Sequence, residues 1–246
     1  MTAFNAVITA TDALGSVERR ARLHVFDRGQ LWAEIDNTAQ MTLFGPAGSD
    51  LSVQAGRLNL QCGSTGTASR ARFESVPVAK DCRALVGFVI PAGTGVRTDN
   101  VGLLLRTTSW QVANDTYAYI VGVGRRSATS FGVEFGRGSN AASGSFQQLQ
   151  FVEVPGITES EVVVWLEVEL VGSTLTVRRL DGTVVLTRSD STHQAAGRVG
   201  VNYFRGSQAG PGLFSGFYFE SLDPTSEYTD EAGDTYVDQA GIPYQG

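Results

Sequence analysis

Apolar and polar residues alternate along most of this chain with a period of two, and the 3.6-residue period of an amphipathic helix is nearly absent. The clearest stretch is 162–170. Val162, Val164, Leu166, Val168 and Leu170 fall on one side, and Val163, Trp165, Glu167 and Glu169 on the other. That division predicts a strand with one face in a core and the other at least partly wet. Gly172-Ser173 turns the chain into Thr174–Arg179, where Leu175 and Val177 point inward. Asp181-Gly182, a dipeptide suited to a hairpin whose two central residues both take positive φ, then leads to a return strand at Val184–Thr187. Further strands are expected at Leu31–Ile35, Met41–Phe44, Arg57–Gln61, Arg70–Val76, Arg83–Ile90, Val101–Arg106, Tyr117–Val123, Phe131–Phe135, Phe146–Val152, Arg198–Tyr203 and Phe214–Ser221. About fourteen short strands with turn signals between them predict an all-β protein, an antiparallel two-sheet sandwich rather than a barrel.

The two ends depart from this pattern. Residues 1–29 are expected to form an arm, with a short strand at Val7–Thr11 and alternation through Arg20–Phe26. Residues 30–222 form the sandwich. Residues 223–246 form an acidic tail with an eight-residue repeat, Asp230-Glu231-Ala232-Gly233 and then Asp238-Gln239-Ala240-Gly241. Three connections rich in small residues, Pro91–Asn100, Gly136–Ser145 and Gly206–Gly212, are as well suited to plain surface as to function.

Composition narrows the function. The net charge of −6 resides in the tail, where Asp223, Glu227, Asp230, Glu231, Asp234 and Asp238 meet no basic residue. A near-neutral body with an acidic tail argues against nucleic-acid binding, which depends on neutralising phosphates. The pairs Arg19-Arg20, Arg125-Arg126 and Arg178-Arg179 read as surface. No apolar run reaches the roughly 18 residues of a membrane span, and the first residues lack the basic and apolar regions of a secretory signal. Cys62 and Cys82 make no CxxC or Cys/His cluster and read as free thiols.

Several segments carry a resemblance. Trp165-Leu166-Glu167-Val168-Glu169-Leu170-Val171-Gly172-Ser173, Asp181-Gly182, Gly197-Arg198-Val199-Gly200-Val201 and Phe214-Ser215-Gly216-Phe217-Tyr218-Phe219 together resemble the carboxyl-terminal half of concanavalin A-like lectin/glucanase and laminin G-like domains. The resemblance covers residues 30–222 and implies a concanavalin-like jelly roll. The terminal repeat resembles short units of bacteriophage tail and capsid accessory proteins, which implies a virion component assembled in the host cytoplasm.

No catalytic residue is assigned. Glu167 and Glu169 share a strand face at the spacing of a retaining glycosidase pair, yet the glucanase pattern Glu-x-Asp-x-x-Glu or Glu-x-Asp-x-Glu is broken by Glu169, Val171 and Gly172. His24 and His193 suggest no triad, and Asp190-Ser191-Thr192-His193 reads as a turn. No metal site is assigned either. Calcium, which the resemblance allows, would draw on Asp99-Asn100 or Asn114-Asp115. The best sugar-binding constellation is Trp110, Asn114 and Tyr117, with Trp32 and Trp165 as alternatives. The leading expectation is a non-enzymatic structural protein of a phage virion. It would be held to other virion proteins or copies of itself by Arg19, Arg20 and Arg22 of the arm and Tyr228, Tyr236 and Tyr244 of the tail. The alternative is a module recognising a host-surface glycan, and the third is a glycoside hydrolase.

Overall fold

The computed structural model describes residues 3–12, 15–24, 38–110, 117–138, 146–206 and 210–223. Ala3–Asp12 (β1) and Gly15–His24 (β2) pair as an antiparallel sheet of their own, longer than the short arm strand expected. After a 3-10 turn at Thr38–Gln40, the chain builds two seven-stranded antiparallel sheets. In chain order the strands are β3 (Met41–Phe44), β4 (Asp50–Gln54), β5 (Arg57–Gln61), β6 (Thr67–Phe73), β7 (Cys82–Ile90), β8 (Asn100–Thr107) and β9 (Ala118–Arg125). They continue with β10 (Ser130–Gly138), β11 (Phe146–Pro155), β12 (Val162–Val171), β13 (Thr174–Arg179), β14 (Val184–Ser189), β15 (Arg198–Arg205) and β16 (Gly212–Ser221). One sheet runs β11-β10-β9-β8-β15-β6-β3 and the other β14-β13-β12-β7-β16-β5-β4. Leu31–Ile35 lies outside the described residues.

The alternation explains the core. Leu166, Val168 and Leu170 of β12 are fully buried, with Val162 and Val164 packed at the core's margin. From the opposite sheet Leu103, Val121, Val133 and Val201 join the same core, and Phe73 stacks on Phe217 with ring centroids 4.4 Å apart. Fully burying such side chains contributes about 1.5–3 kcal/mol each, so one continuous core of this size accounts for the sandwich.

Two turns show how local chemistry sets register. Gly172 takes φ +57° while Ser173 does not go positive, the pattern of a II′ hairpin turn. The Asp181-Gly182 turn differs from expectation: only Gly182 has positive φ, at +86°. Gly182 N–H donates to Arg179 C=O at 2.9 Å and Arg179 N–H to Thr183 C=O at 2.9 Å. The loop is therefore three residues long, a type I turn followed by a glycine bulge.

Arg125 is not a surface residue. It is 1% exposed and donates to the carbonyls of Pro91, Ser127, Ala128, Thr158 and Ser160. Arg106, equally buried, donates to the carbonyls of Lys80, His193 and Gly172 and pairs with Asp81 at 3.0 Å. Its φ of +50° lies at the irregularity where β8 pairs with β15. The left-handed conformation costs about 1–2 kcal/mol, and it turns the guanidinium onto the connections of the opposite sheet.

Candidate functional site

Cross-strand register brings together residues far apart in sequence. On the outward side of the β8–β10 sheet one row crosses all seven strands: Phe44, Arg70, Asn202, Gly102, Gly122, Glu134 and Phe151. In the row on one side of it stand Gly200, Leu104, Ile120 and Gly136, and on the other side Phe204 pairs with Asn100 and Gly124 with Gly132. Inward positions of the same strands carry large apolar side chains, whereas outward ones repeatedly carry glycine. The absent side chains leave a trench.

Strands lie about 4.8 Å apart, so Asn202 and Glu134, three strands from each other, stand about 14 Å apart with only Gly102 and Gly122 between them. The trench has two lobes. The larger, about 480 Å³, is lined by Arg70, Asn202, Phe204, Ile120, Phe146 and Gln148 among others. The smaller, about 240 Å³, is lined by Arg97, Asp99, Gly122, Gly124, Arg126 and Gly132. Thr98, Asn100 and Glu134 belong to both.

The polar groups are held in place. Asn100 Nδ2 donates to Glu134 Oε1 at 2.6 Å. Burial pushes the Glu134 carboxyl above its ordinary range, with Arg126 opposing that shift. Burial likewise lowers Arg70. Asp99 pairs with Arg97 at 3.2 Å and accepts the Gly206 N–H at 2.9 Å, which joins two of the small-residue connections at the rim. Among the described residues no three His, Cys, Asp or Glu groups converge as metal ligands. Phe146 is 40% exposed and packs on Gly136, where a Cβ would lie 2.3 Å from its ring. An open aromatic face beside amide and carboxylate groups suits a ring with an apolar face and hydroxyl edges.

The sequence-derived sugar residues are placed differently. Trp110 lies on this same outward side but is 8% exposed. It packs over Gly200, with Phe44 at 5.6 Å and the Arg72 guanidinium at 5.9 Å. The Tyr117 ring meets His193 edge-on at 5.7 Å, near Tyr119 of the core side, so Trp110 and Tyr117 do not converge. Asn114, Asp115 and Trp32 lie outside the described residues, as do Tyr228, Tyr236 and Tyr244. For Arg19, Arg20 and Arg22 only the strand β2 is described.

On the opposite sheet Glu167 and Glu169 belong to an ionic ladder. Arg178 lies 3.3 Å from Glu167 and 3.4 Å from Glu169, and Arg83 lies 2.5 Å from Glu169 and 3.3 Å from Glu220. Burial pushes Glu169 up, but hydrogen bonds and charge from Arg83 and Arg178 outweigh it and hold the carboxyl below its ordinary value. A general acid needs the opposite shift. Trp165 lies beside this ladder, flat over Gly87 and Gly216. Asp190 forms the expected turn, accepting the Thr192 N–H at 2.9 Å.

No protein-family model matches the chain, and no curated protein matches it. Solved structures do. The carbohydrate-binding module CBM66 from Bacillus subtilis superposes with a TM-score of 0.53 at 16% identity, covering 74% of this chain and 96% of that one. A legume lectin-like domain from Entamoeba histolytica gives 0.52 at 9% identity, covering 75% and 91%. The exoplasmic/lumenal domain of VIP36, in a form bound to calcium and mannose, gives 0.54 at 9% identity, covering 84% and 90%. At such identities the likeness is one of fold alone, a concanavalin-like jelly-roll sandwich of two antiparallel sheets.

Proposed function

We propose that this chain is a carbohydrate-binding domain that seats a glycan in the trench on the outward side of the β8–β10 sheet. The row Arg70–Asn202–Gly102–Gly122–Glu134 carries the reading, because it sets polar groups on both sides of a floor without side chains. Asn202 and Asn100 would serve sugar hydroxyls, and Phe146 and Phe204 would cover C–H faces. The superposable structures include carbohydrate-binding domains, which supports the same reading. A glycan array on the intact chain tests it: a defined set of glycans binds, and Asn202→Ala weakens that set about tenfold or more while the fold is retained. A blank array, or binding indifferent to Asn202→Ala and Gly122→Val alike, overturns it. In this reading the chain releases no reducing sugar, since Glu167 and Glu169 are held by arginines on the other sheet.

One observation favours a second role, attachment to an assembly such as a phage virion built in the host cytoplasm. Among the described strands β1 and β2 pair only with each other, as a two-stranded sheet apart from the two seven-stranded ones. A lone two-stranded hairpin is marginal in water and gains stability from a covering surface. Removing residues 1–24 would then leave the sandwich folded and abolish oligomerisation in sedimentation. Unchanged sedimentation would exclude it.

A further inference from the structure

The two lobes of the trench do not lie end to end. The larger is lined from Ala68 on β6, through Asn202, Asn100 and Ile120, to Gln148 on β11. That path crosses six adjacent strands, about 24 Å at the ordinary strand spacing. Thr98, Asn100 and Glu134, which the smaller lobe shares, belong to β8, its approach and β10. The junction therefore falls inside the long path and at neither of its ends.

The smaller lobe leaves that junction in another direction. Outward positions on β9 run Ile120, Gly122, Gly124, and opposite them on β10 run Gly136, Glu134, Gly132. Ile120 lines the larger lobe, whereas Gly122, Gly124 and Gly132 line the smaller. One lobe thus runs across the strands and the other along them, toward the β9–β10 connection. A Cβ on Gly132 would lie 2.5 Å from the Phe151 ring and 2.8 Å from Arg126 Nε, so these two side chains lean over the glycine and close the wall of this arm. At the junction itself the Asn100–Glu134 hydrogen bond holds both polar groups in place. The trench is a three-way channel. A sugar ring is about as long as one strand-to-strand gap, and a linear chain leaves one of the three arms to water. A branched glycan fills all three and buries more of its surface.

Resting on the glycan reading above, we propose that the trench recognises a branch point. The main chain lies in the larger lobe, the doubly substituted ring sits at the Asn100–Glu134 junction, and the side branch enters the smaller lobe over Gly122 and Gly124. Phe146 touches the main chain alone. A linear glycan with the same main chain binds more weakly.

The test titrates matched pairs of oligosaccharides calorimetrically into the intact chain: xylopentaose with and without an arabinosyl branch, mannopentaose with and without a galactosyl branch, and laminaripentaose with and without a glucosyl branch. At least one branched member is expected to bind about tenfold tighter than its linear partner. Gly124→Val, which fills the smaller lobe, brings the branched member down to the affinity of the linear one. Arg126→Ala, which takes down the wall of the same arm without adding bulk, narrows the gap as well, so the assignment stays testable if the valine variant melts early. Phe146→Ala weakens both members alike and keeps the gap. Equal affinity within every pair, or a gap that survives Gly124→Val and Arg126→Ala alike, overturns the branch assignment while the trench remains a glycan site. Binding by none of these probes overturns it too, and a blank glycan array overturns the glycan reading with it. Thermal unfolding of each variant separates lost recognition from lost folding.

Discussion

Asn100 reaches across β9 to hydrogen-bond Glu134, Nδ2 to Oε1 at 2.6 Å, over a strand whose outward positions there are Gly122 and Gly124. A Cβ on Gly122 would stand 2.7 Å from the same Glu134 oxygen. The bond and the trench floor thus depend on one missing side chain. Gly122→Val is expected to displace Glu134, fill the junction of the lobes and lower glycan affinity by about tenfold or more. Overpacking should cost about 1–3 kcal/mol in stability. Paired calorimetry and thermal melts check both.

Arg125→Met removes a buried cation that satisfies five carbonyl oxygens. Loss of these charge-assisted bonds should cost about 3–5 kcal/mol, measured by urea unfolding. Arg178→Met should cost less, because the Arg178 side chain is 28% exposed and Arg83 remains on Glu169 when it is gone.

Ala55 opens the β4–β5 turn with φ +51°, and Gly56 follows at +70°. An alanine there bears the left-handed penalty that glycine or asparagine avoids. Ala55→Gly or Ala55→Asn is expected to raise stability by about 0.5–1 kcal/mol, read as a higher unfolding midpoint at unchanged slope.

Acidification should destabilise the fold in two stages. Burial lowers His193, whose Nε2 bonds to Gly138 C=O at 2.9 Å, even though that bond and Asp190 oppose the shift. A lowered folded value means stability present above the unfolded value of 6.5 and lost as pH falls toward the folded one. Glu169, also lowered, contributes stability present above 4.5 and lost on further acidification. His193→Gln should flatten the first stage and spare the second, while Glu169→Gln does the reverse, as followed by melting temperature against pH.

Cys82 is buried and its thiol is pushed up to about 12, chiefly by burial. Cys82 pairs with Ser221 at one end of β16, whereas Leu60, two residues before Cys62, pairs with Gly212 at the other. That separation is about 30 Å, far beyond disulfide reach. Intact-mass analysis after alkylation should find no native labelling at Cys82 and two labelled thiols on unfolding.

The sandwich was legible because a period of two survives in nearly every strand, and the inward set of β12 falls where the alternation of Val162–Leu170 puts it. Asp50–Gln54 escaped notice because its alternation is confined to Leu51 and Val53 between turn residues. The trench was not legible as a place, since register joins Arg70, Asn202, Gly102, Gly122 and Glu134 from five strands. Its signal was nonetheless present. Glycine recurs at alternate positions, at 122 and 124 and again at 132, 136 and 138, in strands where Val121, Val123, Phe131, Val133 and Phe135 fall between them. Attention to glycine-rich loops and to Trp110 missed it, because aromatic residues mark packing as readily as recognition.

The Arg125 clamp bears on how binding would feel thermodynamically. Its guanidinium holds three connections, and its own carbonyl accepts the Arg97 N–H at 3.1 Å, so the rim segment carrying Arg97 and Asp99 is tied to the same residue. Such a wall loses little conformational entropy when a ligand arrives. The entropic cost of recognition then falls mainly on the sugar, which favours ligands that are themselves stiff: branched or short-linked glycans over long flexible ones.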